Sequence, residues 1–177
     1  AAPAPISGDR TIRFDAFLSH KRSDAQDTAA RVHDKLTDLG YRAFIDRNDL
    51  VELASLKLAV RDTATFVCFL TPNYFKSAWC CLEICQAVES GVNVLFVQME
   101  GCAFPSPSDV PETMVVHDEE DITLKPREAF TKVIDSGARI SHSKAFFGTC
   151  IEGMQAALGP PPAVAGLDGE AKDMWKA

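Results

Sequence analysis

The sequence has no apolar run near the roughly 20 residues that a membrane-spanning helix needs, which excludes a helical membrane anchor within it. It is short of positive charge: 18 Lys and Arg stand against 25 Asp and Glu, for a net charge of −7. A dedicated binder of nucleic acid or of an anionic membrane needs clustered cations, so both are excluded as partners. Neither G-x-x-x-x-G-K-[ST] nor G-x-G-x-x-G occurs, which removes P-loop NTPases and Rossmann dehydrogenases. No G-x-S-x-G elbow and no H-E-x-x-H pair occur, and the four histidines (His20, His33, His117, His142) are scattered. No initiator Met and no charged-then-apolar leader open the chain, so no targeting signal is read, and the chain fits a fragment of a longer protein.

Ordinary globular composition is present. Hydrophobic residues make up 46% and charged residues 24% of 177, enough to build one domain with a proper core. Six cysteines (Cys68, Cys80, Cys81, Cys85, Cys102, Cys150) sit inside apolar or helical patterns, in a chain large enough to need no staples. They read as reduced thiols of a cytoplasmic protein. Cys80, Cys81 and Cys85 lack a C-x2-C unit and a nearby His at ligand spacing, so no metal site is expected. Cys80 opens a helical stretch, where a helix dipole lowers a thiol pKa and would favour oxidative or alkylating regulation.

The ends, residues 1–10 and 159–177, are rich in Pro, Ala and Gly without periodicity and read as tails or linkers around a domain over 11–158. Inside it, β-rich runs at 13–19, 41–45, 65–71, 92–99 and, more weakly, 113–117 alternate with helical stretches. These stretches are 24–40 (opened by Asp24, stopped at Gly40), 51–62, 77–90, 126–136 and 142–158. The alternation implies right-handed crossovers: an α/β, flavodoxin-like, doubly wound domain with a five-stranded parallel sheet covered by helices on both faces. Ligands of such folds bind at the carboxyl ends of the strands, near the switch in strand order. That directs attention to 20–24, 46–50 and 72–83. A response-regulator receiver shares this fold but needs an acceptor Asp after the third strand, where this chain has Leu70-Thr71-Pro72.

On the helix over 77–90, Cys81, Ile84, Cys85 and Val88 form one stripe facing the sheet, and Trp79, Glu83 and Gln86 fall on the opposite side. Two readings of that face stay open. Glu83 is a solvated glutamate favoured near a helix start, beside a Trp covering a loop, or the two form a functional pair.

Three boxes in order resemble those of Toll/interleukin-1 receptor (TIR) domains. Phe14-Asp15-Ala16-Phe17-Leu18-Ser19-His20 is similar to the first, a strand of the form (Y/F)-D-x-F-(I/L)-S. Gly40-Tyr41-Arg42-Ala43-Phe44-Ile45-Asp46 resembles the second strand, which runs into the BB loop. The stretch from Phe69 to Glu83, with Ser77-Ala78-Trp79-Cys80-Cys81-Leu82-Glu83 at its end, is similar to the third strand and the S-x-W-C-x-x-E helix start. The resemblance covers about residues 11–158 and is nearest to the members that cleave NAD+ at the nicotinamide glycosidic bond.

That resemblance implies a set of roles. Glu83 matches the catalytic glutamate and Trp79 the aromatic residue that stacks in the nucleotide site. His20, Lys21 and Arg22 match the loop after the first strand, Asp46 the acidic residue opening the BB loop, and Cys80 lies in the same box. The implied activity is an NAD+ nucleosidase with NAD+ as substrate (and NADP+ as its near analogue), needing no cofactor. It would give nicotinamide with ADP-ribose or a cyclic isomer, in immune or cell-death signalling, activated by assembly with other TIR domains into a homo-oligomer or filament. The alternative is a non-catalytic scaffold acting through TIR–TIR contacts. Leu53 stands where the BB loop commonly has Gly, Lys21 where Arg is common, and His20 where Tyr or Phe is usual. His20 is read equally as a partly exposed polar residue after a strand or as a stacking ligand group.

Overall fold

A computed structural model describes residues 11–46 and 52–162. The tail expected over 1–10, most of that over 159–177, and the turn following Asp46 lie outside the described residues. Phe14–Ser19 (β1) leads into helix Arg22–Asp38 (α1), then Ala43–Phe44 (β2), Leu53–Arg61 (α2), Thr63–Leu70 (β3), Ala78–Glu89 (α3) and Asn93–Met99 (β4). These are the elements the β-rich and helical runs predict, within a few residues at each end. Helix α1 starts two residues before Asp24 and carries a non-helical residue at Ala25 (φ −140°, ψ 16°). Asp24 accordingly does not cap the helix; its carboxylate accepts from Thr71 Oγ1 at 3.0 Å, tying α1 to the exit of β3. Gly40 does stop α1. Its φ of +94° suits glycine, and Tyr41 N–H bonds back to Leu36 O while Gly40 N–H bonds to Thr37 O, a Schellman closure.

The main sheet has five parallel strands in the order β2-β1-β3-β4 followed by Ala138–His142. Its fifth strand is not the 113–117 run. Met114–Val116 (β5) pairs antiparallel with Ile122–Leu124 (β6) in a separate two-stranded ribbon. Ala138–His142 (β7) takes the sheet edge beside β4 instead. An edge strand is covered less completely, so Ala-Arg-Ile-Ser-His, mostly exposed, suffices there without an apolar run. The two last helices shorten to Pro126–Val133 (α4) and Phe147–Leu158 (α5) to make room for it. Gly137 permits the tight turn between α4 and β7, because a Cβ there would lie 2.8 Å from the Phe96 ring and 2.9 Å from Val133 O.

Side chains alternate across the sheet into two cores. Phe17, Phe66, Cys68, Leu70 and Phe96 pack with α2, α3 and α4 on one face. Ala16, Leu18, Val67, Phe69, Leu95 and Val97 pack with α1 and α5 on the other. Strand order reverses between β1 and β3, so the carboxyl ends of those two strands form the switch point of the flavodoxin-like fold.

Candidate functional site

At that switch point lies a cavity of about 290 Å³. It is lined by His20, Lys21, Arg22 and Ser23 from the exit of β1 and the start of α1, Asp46 from beyond β2, and Leu56 from α2. Ser77, Trp79, Cys80 and Glu83 come from the start of α3, and Leu18 floors it. All seven residues singled out in the sequence (His20, Lys21, Arg22, Asp46, Trp79, Cys80, Glu83) therefore border one space, supplied by three segments far apart in the chain. Ser77 caps α3 by accepting from Cys80 N–H at 3.2 Å, which starts the helix at the cavity wall.

Glu83 is not on a solvated face. It is 6% exposed, because α3 in its first turns is enclosed on nearly every side: Cys80, Cys81, Leu82 and Ile84 are buried with it. The stripe counted from periodicity is displaced: Cys85 and Val88 are only half-buried, whereas Cys80, Glu83, Ile84 and Ala87 are buried, and α2, the turn Tyr74–Lys76 and the β5–β6 ribbon also pack on the helix start. Trp79 keeps 38% of its surface exposed at the rim. Of the two readings left open, a solvated glutamate is thus overturned by its burial.

The carboxylate of Glu83 is held by one hydroxyl, itself bonded to a second, and sequence reasoning singled out neither. Ser19 Oγ, at the end of β1, donates to Glu83 Oε1 at 2.9 Å, and Tyr74 Oη lies 2.7 Å from Ser19 Oγ. Both stand inside the quoted boxes, but their meeting across 55 and 64 residues of chain leaves no mark in local spacing. His20 Nδ1 bonds to Leu18 O at 3.3 Å, which fixes the ring against the strand end.

Burial raises the thiol of Cys80 far above its ordinary range, and the charge of Glu83 raises it further. This corrects the activated thiol expected from the helix dipole: desolvation outweighs it, and Cys80 stays protonated. Burial likewise raises Cys68 and Tyr74, each also feeling Glu83, and lifts Cys81 to about 12. The groups around the carboxylate are thus neutral hydrogen-bond donors at neutral pH. Among the described residues no group of three His, Cys, Asp or Glu could hold a metal ion, and no helix is long and apolar enough to cross a membrane.

Fold and cleft together define a doubly wound α/β domain with an acid sunk at its switch point. The chain belongs to the TIR domain family, whose TIR domain matches residues 16–134. It is similar to the NAD(+) hydrolase TirS of Staphylococcus aureus, with 26% identity over 92 residues that cover half of this chain and a third of that protein. The chain thus matches well under two thirds of that relative's length. Among solved structures, the TIR domains of the activated Roq1 resistosome that recognises the effector XopQ superpose with a TM-score of 0.59. That match has 18% identity and covers 82% of this chain and 99% of that one. A metazoan TIR-STING receptor from C. gigas, in complex with 2′,3′-cGAMP, gives 0.52 at 14% identity, over 85% of this chain and 40% of that one. At these identities the structural matches speak for the fold.

Proposed function

We propose that this TIR domain is an NAD+ nucleosidase and that Glu83 is its catalytic residue. The observation that carries the reading is a buried carboxylate, oriented by a hydroxyl, in a cavity whose rim is a half-exposed Trp. The TirS match supports the same chemistry. At about 290 Å³ the cavity is at the small end of ligand pockets. It suits the nicotinamide riboside end of the substrate, with the remainder laid across Trp79. Lys21 precedes α1 and Arg22 opens it, so two cations flank a helix start that favours a pyrophosphate.

The chemistry follows from the charges. When the glycosidic C–N bond breaks, its electrons return to the pyridinium nitrogen, so nicotinamide leaves neutral and needs no proton from the protein. The positive charge left on the ribose is stabilised by the Glu83 carboxylate, which also holds the ribose hydroxyls. Leu56 and Trp79 supply apolar wall against bulk water. Water then adds at the anomeric carbon and sheds a proton to give ADP-ribose; attack from within the substrate gives a cyclic isomer. Cys80 lines the pocket as a neutral, shape-defining group. We assign this activity to residues 11–158, acting through self-association in immune or cell-death signalling inside the cell.

The test is incubation of concentrated protein with NAD+, products separated by chromatography with mass detection, beside Glu83→Gln. Nicotinamide release that disappears in the variant supports the enzyme, and the co-product separates hydrolase from cyclase. No turnover, even in protein driven into assemblies, transfers the reading to a non-catalytic TIR scaffold.

A further inference from the structure

We infer that Tyr74 and Ser19 form a one-way hydroxyl relay that positions the Glu83 carboxylate. The inference rests on the reading of Glu83 as the catalytic acid, and assigns work to two residues that do not touch substrate. Direction follows from counting protons. A carboxylate only accepts, so the single Ser19 proton goes to Glu83 Oε1 at 2.9 Å. The Tyr74–Ser19 contact at 2.7 Å then requires Tyr74 to be the donor. The order of donation therefore runs Tyr74, Ser19, Glu83.

Every member is mounted rigidly. Ser19 ends β1 in register with Cys68 on β3, so the sheet ladder sets their separation. Tyr74 is 0% exposed in the short turn before α3, its amide bonded to Thr71 O and its ring edge-on to Phe75 at 5.0 Å between centroids. Burying a tyrosine and a serine hydroxyl against a carboxylate sacrifices hydration of all three. Apolar residues of similar shape would fill the space as well, were packing the only demand. What the relay adds is direction: Oε1 is pinned, so the carboxylate plane meets the cavity in one orientation, and a hydrogen bond donated to the ionised form favours that form.

The experiment uses the full chain and three variants: Tyr74→Phe, which keeps the ring and removes the donor, Ser19→Ala, and Ser19→Thr, which restores a hydroxyl. Tyr74→Phe should lower kcat about tenfold with KM within about twofold of wild type, and Ser19→Ala about 100-fold. Ser19→Thr should recover most of the loss. The acid limb of the pH–rate profile should move to higher pH in Tyr74→Phe and Ser19→Ala, since a carboxylate with fewer donors protonates more readily. Wild-type kcat and an unmoved acid limb in Tyr74→Phe, with melting unchanged, would overturn the relay.

Failure of the proposed activity is separable. If the wild-type chain does not consume NAD+, the same variants are read by 13C NMR of glutamate carboxylates, with Glu83 assigned by its loss in Glu83→Gln. A Glu83 titration midpoint raised in Ser19→Ala and Tyr74→Phe sustains the relay without turnover, and an unmoved midpoint ends it.

Discussion

Two carboxylates in this domain are equally buried, Asp62 and Glu83 at 6% exposure each, and sit at opposite edges of the same sheet. Asp62 follows α2 just before β3, at the amino edge, and receives Arg13 Nε on Oδ2 and Arg61 Nε on Oδ1, both at 2.9 Å. Glu83 stands at the carboxyl edge, with Oε1 on the hydroxyl of Ser19. Burial by itself raises the Asp62 carboxyl, but the two arginines outweigh it and hold the group below the usual carboxylate range. Charge pairing saturates the Asp62 oxygens and fastens the entry of β3 to the entry of its neighbour β1. A hydroxyl orients Glu83 and contributes no opposing charge, while a cavity lies against it. The same residue chemistry thus serves as a fastener at one edge and faces a cavity at the other, and the neighbours decide which.

Exchanging the acids for their amides should separate these roles. The largest effect expected is Glu83→Gln: NAD+ turnover falls more than about 100-fold, while the melting temperature stays within a few degrees of wild type, since the amide oxygen still accepts from Ser19. If Glu83→Gln unfolds, the acid is a fastener too and the contrast collapses. Asp62→Asn should do the reverse, sparing turnover and costing about 1–2 kcal/mol, discounted because both arginines are half exposed. In a domain of this size that is about 2–8 °C in Tm, read by calorimetry. Its pH dependence has a definite sign. The Asp62 carboxyl is depressed in the fold, so its stabilisation is present above the unfolded value near 3.9 and is lost as pH falls through the lower folded value. The gap between wild type and Asp62→Asn should therefore narrow below about pH 4 in acid-unfolding curves.

Trp79→Ala sharpens the contrast from the rim. With over a third of its surface exposed, Trp79 should cost about 1 kcal/mol of stability, well under the 3–5 of a core Trp. Its loss should raise KM for NAD+ about tenfold through lost stacking. The smallest effect is on chemistry at Cys80: alkylation by iodoacetamide at pH 8 should leave this thiol unmodified in peptide maps of the native protein while an unfolded control reacts fully. Rapid native labelling of Cys80 would mean that the cleft is more open and its charge better screened than the buried thiol requires.

Much of this architecture was legible. Apolar runs at β1, β3 and β4 are what strands covered on both faces must look like, and Gly40 and Ser77 mark helix ends by backbone geometry. The missed strand β7 shows the limit: an edge strand with Arg139 and exposed Ala138 carries almost no apolar signal, whereas Met-Val-Val in β5 carries it and spends it in a ribbon outside the sheet. The candidate site divides similarly. Residue type and order brought seven residues to one cavity, yet the burial of Glu83 was misjudged because helical periodicity reports one packing partner and α3 has several. Ser19 and Tyr74 went unassigned because a hydrogen bond between distant segments is a fact of tertiary structure.

The Tyr41 hydroxyl bonds to Gly159 O, and Gly40 lies against Pro161, 3.6 Å from where a Cβ would stand. Both contacts anchor the segment after α5 at the foot of β2, on the rim of the sheet away from the cleft. The six-residue span of β1 sets the distance between the two rims at roughly 20 Å. A dye, a surface tether or a fused protein joined at residue 162 would therefore leave the molecule facing outward with its cleft unobstructed. This gives a defined orientation for immobilised assays, and a place to crowd copies together without blocking the mouth of the cavity.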